Sequence, residues 1–257
     1  MTSVTDRHLD IALEAATKAA SIIKQYFNQD FEVQLKADES PVTQADIECE
    51  HAIKGILQSA FPDYGFFGEE TGTQGLESEY LWLVDPIDGT KSFVRGYPFF
   101  STQIALMHQG EIVLGVSSAP LFDELAWATK GKGAFLNKEP IAVSDISSID
   151  QATLSLGNVA TLAGGPGWDE TGRLIRSVNR IRGYGDFYHY HLLASGKIDI
   201  VIESDVNILD IAALTCIVSE AGGSFTQLDG APIGLESTSV MATNRRVLQE
   251  LSGFQLS

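Results

Sequence analysis

The stretch of sequence that most constrains the fold is Trp82-Leu83-Val84-Asp85-Pro86-Ile87-Asp88-Gly89-Thr90. The apolar run from Tyr80 to Val84 predicts a buried strand, because it is short and ends at an Asp-Pro turn. Proline stiffens this turn, so two carboxylates three residues apart can face one point, with the Ile87 carbonyl beside them. Gly89 and Thr90 then offer backbone amides and a hydroxyl near a helix start, where anions bind well.

Two further segments place carboxylates at the ends of predicted elements. One is Gly68-Glu69-Glu70, and the other is Asp210, at the start of a helix that should end at Gly222-Gly223. Hard cations such as Mg²⁺ prefer oxygen ligands, chiefly carboxylates. Each segment alone also fits a simpler interpretation, as a turn, a solvated surface pair or a helix cap. Together they favour one metal site that binds phosphate, because phosphoryl transfer needs all of these parts.

Composition argues against several classes of protein. The chain has 257 residues and a net charge of −17. Such an acidic surface repels nucleic acid and anionic membranes, so neither is an expected partner. It also repels phosphorylated substrates, so a phosphatase of this charge needs cations in its site, although acidic residues can simply keep a protein soluble. Cys49 and Cys216 lack metal-ligand spacing, and no signal peptide or membrane span is predicted, so we expect a cytoplasmic protein.

The remainder of the chain predicts a mixture of helices and strands. Helices are expected over residues 5–27, from a capping box at Thr43 to about Ala60, and from Asn207 to Gly222. Strands are expected at 80–84, 100–106, 112–116, 125–128, near 135, and at 198–203. The alternation over 100–106 predicts a half-buried strand, and the glycine-rich residues 163–167 predict a linker or mobile loop. Because the elements do not alternate strictly as βαβ, the fold class is a layered α+β domain.

The motifs resemble the signature of the inositol monophosphatase superfamily. The central motif is the quoted run Trp82–Thr90, and Gly68-Glu69-Glu70 is similar to the upstream motif. The C-terminal motif is similar to Asp210-Ile211-Ala212-Ala213 with Glu220-Ala221-Gly222-Gly223. Order and approximate spacing match, so the resemblance covers nearly the whole chain. It departs at Leu209, where the family usually has tryptophan, a residue that should pack rather than react.

The resemblance implies an overall architecture. It is the layered α-β-α-β-α sandwich of the inositol monophosphatase and fructose-1,6-bisphosphatase type. Residues 1–257 would form a single phosphatase unit. An N-terminal lobe of about 1–140 would carry most metal ligands, and a C-terminal lobe of about 141–257 would carry Asp210 and the specificity residues. Family members usually form homodimers, so a homodimer is expected here.

The resemblance also implies a mechanism with two or three Mg²⁺ ions. Their ligands would be Glu69, Asp85, the Ile87 carbonyl, Asp88 and Asp210. Glu69 and Thr90 would orient a metal-activated water for in-line attack on phosphorus, with a second metal stabilising the leaving alkoxide. Asp88 and the amides of Gly89 and Thr90 would hold the phosphate. Lys36 and Asp46 match a mobile N-terminal region, where Asp46 would support a third, weaker metal.

Three further segments resemble the histidinol-phosphate phosphatase branch, which acts in histidine biosynthesis. They are Lys91-Ser92-Phe93-Val94-Arg95-Gly96, Ser118-Ala119-Pro120 and Arg182-Gly183-Tyr184-Gly185-Asp186-Phe187. A carboxylate at Asp186 suits a cationic substrate better than a neutral polyol, since histidinol phosphate carries an amine and an imidazole. Glu203 would add a second acceptor, and Arg182 and Asp210 complete the expected substrate contacts.

Several alternatives remain open at this point. Asp186 also fits a turn residue, and Lys91 and Arg95 fit a solvated helix face. The substrate could instead be inositol 1-phosphate or a nucleotide 3′-phosphate, and a regulatory binding protein on the same fold is the non-enzyme alternative. His189 and His191 are spaced as a zinc pair, but no third ligand is evident, so packing or a place beside the substrate is favoured.

Overall fold

The computed structural model of the protein describes residues 4–27, 33–35 and 41–257. Over these ranges, no helix combines the length and apolar character needed to cross a membrane. A single 3₁₀ turn is described at Ile149–Gln151. The α-helices are α1 Asp6–Phe27, α2 Gln44–Ala60, α3 Thr90–Val94, α4 Val159–Gly164, α5 Trp168–Ser177, α6 Asp186–Ala194, α7 Ile208–Glu220 and α8 Leu248–Leu251.

The strands form three sheets. A small sheet pairs β1 Val33–Leu35 with β2 Pro41–Thr43. The large sheet has the order β10-β9-β8-β7-β6-β5-β3-β4, from β3 Gly65–Gly68, β4 Gly72–Gln74, β5 Tyr80–Asp88, β6 Ser101–His108, β7 Glu111–Ala119, β8 Glu124–Thr129, β9 Ala134–Leu136 and β10 Glu139–Ile141. The third sheet has the order β12-β11-β13-β15-β14, from β11 Thr153–Leu156, β12 Arg180–Arg182, β13 Ile200–Ser204, β14 Ser224–Thr226 and β15 Ser239–Thr243.

Helices and sheets alternate in five layers. The apolar faces of α1 and α2 pack on one side of the large sheet. Helices α6 and α7 fill the space between the two main sheets. Helices α4, α5 and α8 cover the outer side of the third sheet. The expected α-β-α-β-α sandwich is therefore confirmed, and residues of both main sheets reach the central helical layer.

Local sequence signals located the helix starts well. Thr43 caps α2, with its backbone N–H donating to Asp46 Oδ2 at 2.7 Å and its Oγ1 accepting from the Ala45 amide at 3.2 Å. Asn207 caps α7 in the same way, and its N–H donates to Asp210 Oδ2 at 2.8 Å. Both helices thus begin where the sequence predicts, because a capping box satisfies backbone donors that the helix cannot pair itself.

One of the sequence predictions is wrong, and another holds only in part. The strand expected over 100–106 is β6, which is buried on both faces rather than one. The reason is that α1 packs on one face of the sheet and α7 on the other. Of residues 163–167, expected as a linker or mobile loop, the first two belong to α4 and residues 165–167 form the short turn that connects α4 to α5. A Cβ atom at Gly167 would lie 2.3 Å from the Leu256 carbonyl oxygen, so this glycine permits tight packing against the chain's last residues.

Candidate active site

The end of β5 brings two carboxylates to one place. The pairing of β5 with β6 shifts register between Asp85 and Asp88, a bulge that contains Pro86. Proline has no N–H to donate to the ladder, so an irregularity here is expected. Thr102 Oγ1 donates to the Pro86 carbonyl at 2.8 Å, and the Ile87 amide donates to Asp85 Oδ1 at 2.9 Å, which fixes the turn.

Asp210 completes an acidic cluster with these two residues. One ligand atom each of Asp85, Asp88 and Asp210 lies within 4.8 Å of the others. Mg²⁺ binds oxygen at roughly 2.1 Å, so carboxylate oxygens at this mutual separation suit one shared ion or adjacent ions. The capping contact from Asn207 orients Asp210 towards the bulge. The donor set, all oxygen and all anionic, fits a hard divalent cation.

The charges of this cluster repel one another strongly. Burial raises the pKa of Asp85 well above its ordinary value, and Glu69, Asp88 and Asp210 raise it further. The pKa of Asp88 is raised in the same way, first by burial and then by neighbouring carboxylates. Burial, followed by the charges of Glu69 and Glu203, raises the pKa of Asp210 to about 7, although the Asn207 amide acts in the opposite direction. A bound cation would remove this repulsion, so the site favours one.

Glu69 reaches the cluster from the end of β3. Its amide donates to the Val84 carbonyl at 3.2 Å, and its charge is one of the causes that raise the pKa of Asp85. The turn that follows is held by Glu50, a buried residue of α2 whose carboxylate accepts from the Glu70 amide at 2.7 Å and the Thr71 amide at 2.6 Å. Glu50 was not predicted as a site residue. The sequence did carry a signal for it, since Glu50 lies one helical turn after Asp46 and shares its buried face.

Thr90 lies between the acidic cluster and α2. Its hydroxyl is 3.0 Å from the Ile87 carbonyl and 3.2 Å from Asp46 Oδ1, so it can donate to either oxygen. Asp46 therefore caps its own helix with one oxygen and contacts Thr90 with the other. Burial raises the pKa of Asp46. Gly89 has a φ of 94°, and a Cβ there would lie 2.5 Å from the Phe99 carbonyl oxygen, so the turn requires glycine.

Part of this cluster lines a cavity of about 220 Å³ that both halves of the chain form, but Asp46, Asp85 and Ile87 are buried and do not line it. Its volume suits a small phosphorylated molecule. Predicted site residues at its surface are Glu69, Asp88, Gly89, Thr90, Asp186, Glu203 and Asp210. Lys91 also lines it, whereas Asn158, Tyr190 and Asp205 do so without having been singled out as site residues from sequence. Asn158 and Asp205 have positive φ values of 48° and 57°, which no short sequence motif predicts.

Two carboxylates lie on the part of the cavity that the third sheet and α6 form. Asp186 is the first residue of α6 and has a φ of 46°. Burial raises its pKa to about 6, and the charge of Glu203 contributes, while His189 and Lys91 oppose the rise. Glu203 is buried in β13 and accepts hydrogen bonds from the Tyr190 hydroxyl at 2.7 Å and from His189 Nε2 at 3.0 Å.

Some predicted residues lie elsewhere. Arg182 is on β12, at the edge of the third sheet, exposed, with Nη1 donating to the Ile181 carbonyl at 2.6 Å. It does not line the cavity, so its predicted substrate contact is not supported. Arg95 is exposed at the end of α3 and also lies outside the cavity lining. Lys36 lies outside the described residues.

The two histidines of α6 have separate partners. His189 contacts Glu203, whereas His191 Nδ1 donates to Glu124 Oε2 at 2.8 Å and its Nε2 is 2.9 Å from Ser117 Oγ. Both are buried among these groups. This agrees with the interpretation that favoured packing over a zinc pair.

Known proteins are similar to this chain in sequence and in fold. The family model described as the inositol monophosphatase family matches residues 5–254. A histidinol-phosphatase of Streptomyces coelicolor is 38% identical, over 97% of this chain and 96% of that protein. An inositol-1-monophosphatase of Caulobacter vibrioides is 35% identical, over 91% and 94%. The crystal structure of extragenic suppressor protein suhB from Bartonella henselae superposes with a TM-score of 0.89 at 31% identity, covering 98% of each chain.

Proposed function

Because this chain belongs to the inositol monophosphatase family, which makes it a phosphoric monoester hydrolase, we propose that it is a Mg²⁺-dependent phosphatase of L-histidinol phosphate. The observation that carries the choice of substrate is the pair of carboxylates, Asp186 and Glu203, in the same cavity as Asp88, Gly89 and Thr90. Histidinol phosphate has a phosphate at one end and an ammonium group and an imidazole at the other, so it complements both sets of groups.

We propose that Glu69, Asp85, Asp88, Asp210 and the Ile87 carbonyl hold Mg²⁺. When bound, Mg²⁺ would offset the charge of the phosphate and make a water molecule a stronger nucleophile. In the same proposal, residues of the site orient the attacking water and the phosphate. Glu69, at the cavity surface, would accept a hydrogen bond from the attacking water.

Thr90 would act on the same water molecule. Its single hydroxyl proton is directed to Asp46 or to the Ile87 carbonyl, so its oxygen remains free to accept a hydrogen bond. A water that donates to both Thr90 and Glu69 has a fixed orientation before it reacts. The amides of Gly89 and Thr90 would donate to the phosphate oxygens, since both residues line the cavity at the start of α3.

The alternative substrate is inositol 1-phosphate. Glu203 could accept a hydroxyl of that ester as readily as an ammonium group, and one relative bears the name inositol-1-monophosphatase. Asp186 is the feature that supports the cationic ester in this proposal. A second, half-buried carboxylate beside Glu203 gains more from an ammonium partner than from a neutral hydroxyl, because the cation offsets the repulsion between the two acids.

The test is a comparison of kcat/KM for L-histidinol phosphate and inositol 1-phosphate, with Mg²⁺ and with chelator. We expect a clear preference for histidinol phosphate and no turnover with chelator. A preference for inositol 1-phosphate would refute the substrate proposal. Asp88→Asn should abolish phosphate release while the protein stays folded, and Mg²⁺-dependent turnover by that variant would refute the metal-site assignment.

The proposal also includes a cytoplasmic location, a homodimer and a division into two lobes at about residue 140. The location rests on the sequence, and the dimer and the lobes rest on the family resemblance. Light scattering on the purified protein should give twice the chain mass of 27.8 kDa. A mass equal to one chain would refute the dimer. Cell fractionation would test the location.

A further inference from the structure

Glu203 is fixed by two donors that come from neighbouring positions of α6. The Tyr190 hydroxyl donates to Oε2 at 2.7 Å, and His189 Nε2 lies 3.0 Å from the same oxygen. All three side chains are buried, with relative exposures of 1% for Tyr190, 0% for His189 and 4% for Glu203. Within the part of the chain that the structure describes, both of these donors contact Oε2, and neither contacts Oε1.

His189 has a further hydrogen bond on its other ring nitrogen. The Tyr184 amide donates to Ser155 Oγ at 3.2 Å, and Ser155 Oγ lies 3.3 Å from His189 Nδ1. A carboxylate oxygen accepts hydrogen bonds, so the Nε2–H of His189 donates to Glu203 Oε2. A chain of hydrogen bonds thus runs from the backbone through Ser155 and His189 to the carboxylate.

The second oxygen of Glu203 faces a position kept free of side chain. Gly157 lies beside it, and a Cβ atom there would be 1.9 Å from Glu203 Oε1. Glu203 and Tyr190 both line the cavity, whereas His189 does not. Oε2 of Glu203 is therefore hydrogen-bonded by the protein, whereas Oε1 lies beside Gly157, which has no Cβ atom to fill the adjacent space.

We propose that His189 is a positioning residue that, with Tyr190, holds Glu203 so that Oε1 accepts from the ammonium group of the substrate. The proposal deepens the proposed function and rests on it. Two donors on Oε2 fix the position of the carboxylate and leave Oε1 available to a cation in the cavity.

The experiment compares two esters that differ only in the amino group, L-histidinol phosphate and imidazolylpropyl phosphate. His189→Leu removes the donor to Glu203, whereas His189→Gln retains an N–H of similar reach. For His189→Leu we expect KM for the amino ester to rise about tenfold, the range for a lost hydrogen bond to a charged group, with kcat changed less than about twofold. The deamino ester should keep its KM, and His189→Gln should recover most of the loss.

Tyr190→Phe provides a second variant that removes one hydroxyl and leaves the ring. It should show the same split between the two esters, and it decides the question if His189→Leu does not fold. The matched control is Tyr64→Phe, which also removes a hydroxyl bonded to a histidine, His8, at 2.9 Å, but lies in the cluster of α1, α2 and the large sheet. This control should leave both KM values unchanged.

Three results would overturn the proposal. They are an unchanged KM for the amino ester, an equal rise for both esters, and a His189→Gln variant no better than His189→Leu, which would indicate packing alone. Failure of the proposed function is separate, because wild-type protein would then fail to prefer the amino ester. In that case the same variants are assayed with inositol 1-phosphate, whose hydroxyls would need the same acceptor, and an unchanged KM there refutes the positioning role.

Discussion

Replacing Asp88 by asparagine is expected to stabilise the metal-free protein while it abolishes the response to Mg²⁺. Ligand atoms of Asp85, Asp88 and Asp210 lie within 4.8 Å of one another. At an effective dielectric constant of about 20, two unit charges at that separation repel by about 3.5 kcal/mol. Asp88 takes part in two such pairs. Asparagine has nearly the same shape and removes the charge.

The expected gain is smaller than the sum of the two pairs, because the wild-type carboxyl groups reduce their repulsion by binding protons. Burial is the first cause that raises the pKa of Asp88, and the charge of Asp210 is the second, so an ionised Asp88 destabilises the metal-free protein. We therefore expect Asp88→Asn to add about 3 kcal/mol to the free energy of unfolding at pH 8 without metal. For a chain of this length that is roughly 6 to 12 °C in Tm.

The gain should depend on pH with a definite sign. Since the folded-state pKa values are raised, the folded wild-type protein binds more protons than the unfolded one between about pH 4 and pH 7. Its metal-free stability is therefore highest at acidic pH and is lost as the pH rises through that window. Asp88→Asn should lose less over the same range, so the gain at pH 8 should largely vanish at pH 5.

Differential scanning calorimetry, with chelator and with saturating Mg²⁺ at both pH values, measures this directly. Wild-type Tm should rise with Mg²⁺ at pH 8, and that of Asp88→Asn should not. Asp63→Asn, at an exposed position, is the matched control and should change stability by less than about 0.5 kcal/mol. A variant that is less stable than wild type in chelator at pH 8, or equally stabilised at both pH values, would refute the reasoning.

Three further substitutions test other parts of the site. Gly157→Ala places a Cβ 1.9 Å from Glu203 Oε1 and must displace the carboxylate, so KM for L-histidinol phosphate should rise about tenfold in steady-state kinetics while the deamino ester is affected less. The carboxyl of Asp186 ionises near pH 6, so the wild-type preference for the amino ester should grow between pH 5 and pH 7, and an Asp186→Asn variant with the same growth would contradict its role. Glu50→Gln turns an N–H₂ group towards a backbone amide such as that of Thr71. It should cost about 2 kcal/mol in chemical unfolding and weaken Mg²⁺ binding in calorimetric titration, and an unchanged Mg²⁺ affinity would show that the loop does not need this anchor.

Features that depend on neighbouring residues were predictable from the sequence. The capping boxes at Thr43 and Asn207 and the Asp-Pro turn at the end of β5 each involve residues within a few positions of one another. Such short-range contacts leave a pattern in the sequence because one side chain satisfies a backbone group close to itself in the chain. The proposed metal ligands were predicted from these motifs together with the family resemblance.

Burial and side-chain direction were not predictable in this way. Strand β6 has the alternation of a strand with one buried face, but helices of two different layers cover both faces. Arg182 and Asp186 lie four residues apart in one motif, yet only Asp186 reaches the cavity. The chain turns between them with positive φ at Gly185 and Asp186, while Arg182 stays on an edge strand.

The sequence by itself determined the layered α+β fold class, the positions of the caps and the acidic motifs around Asp85 and Asp210, and the five-layer order was implied by the family resemblance. Only the tertiary structure decided that Glu50 holds the turn after Glu69, and that His189 and Tyr190 both hold one oxygen of Glu203. The physical reason is the separation along the chain between the residues that interact. Caps and turns are satisfied within one segment, whereas these carboxylates find their partners on other elements, and the packing of the layers sets which donors meet them.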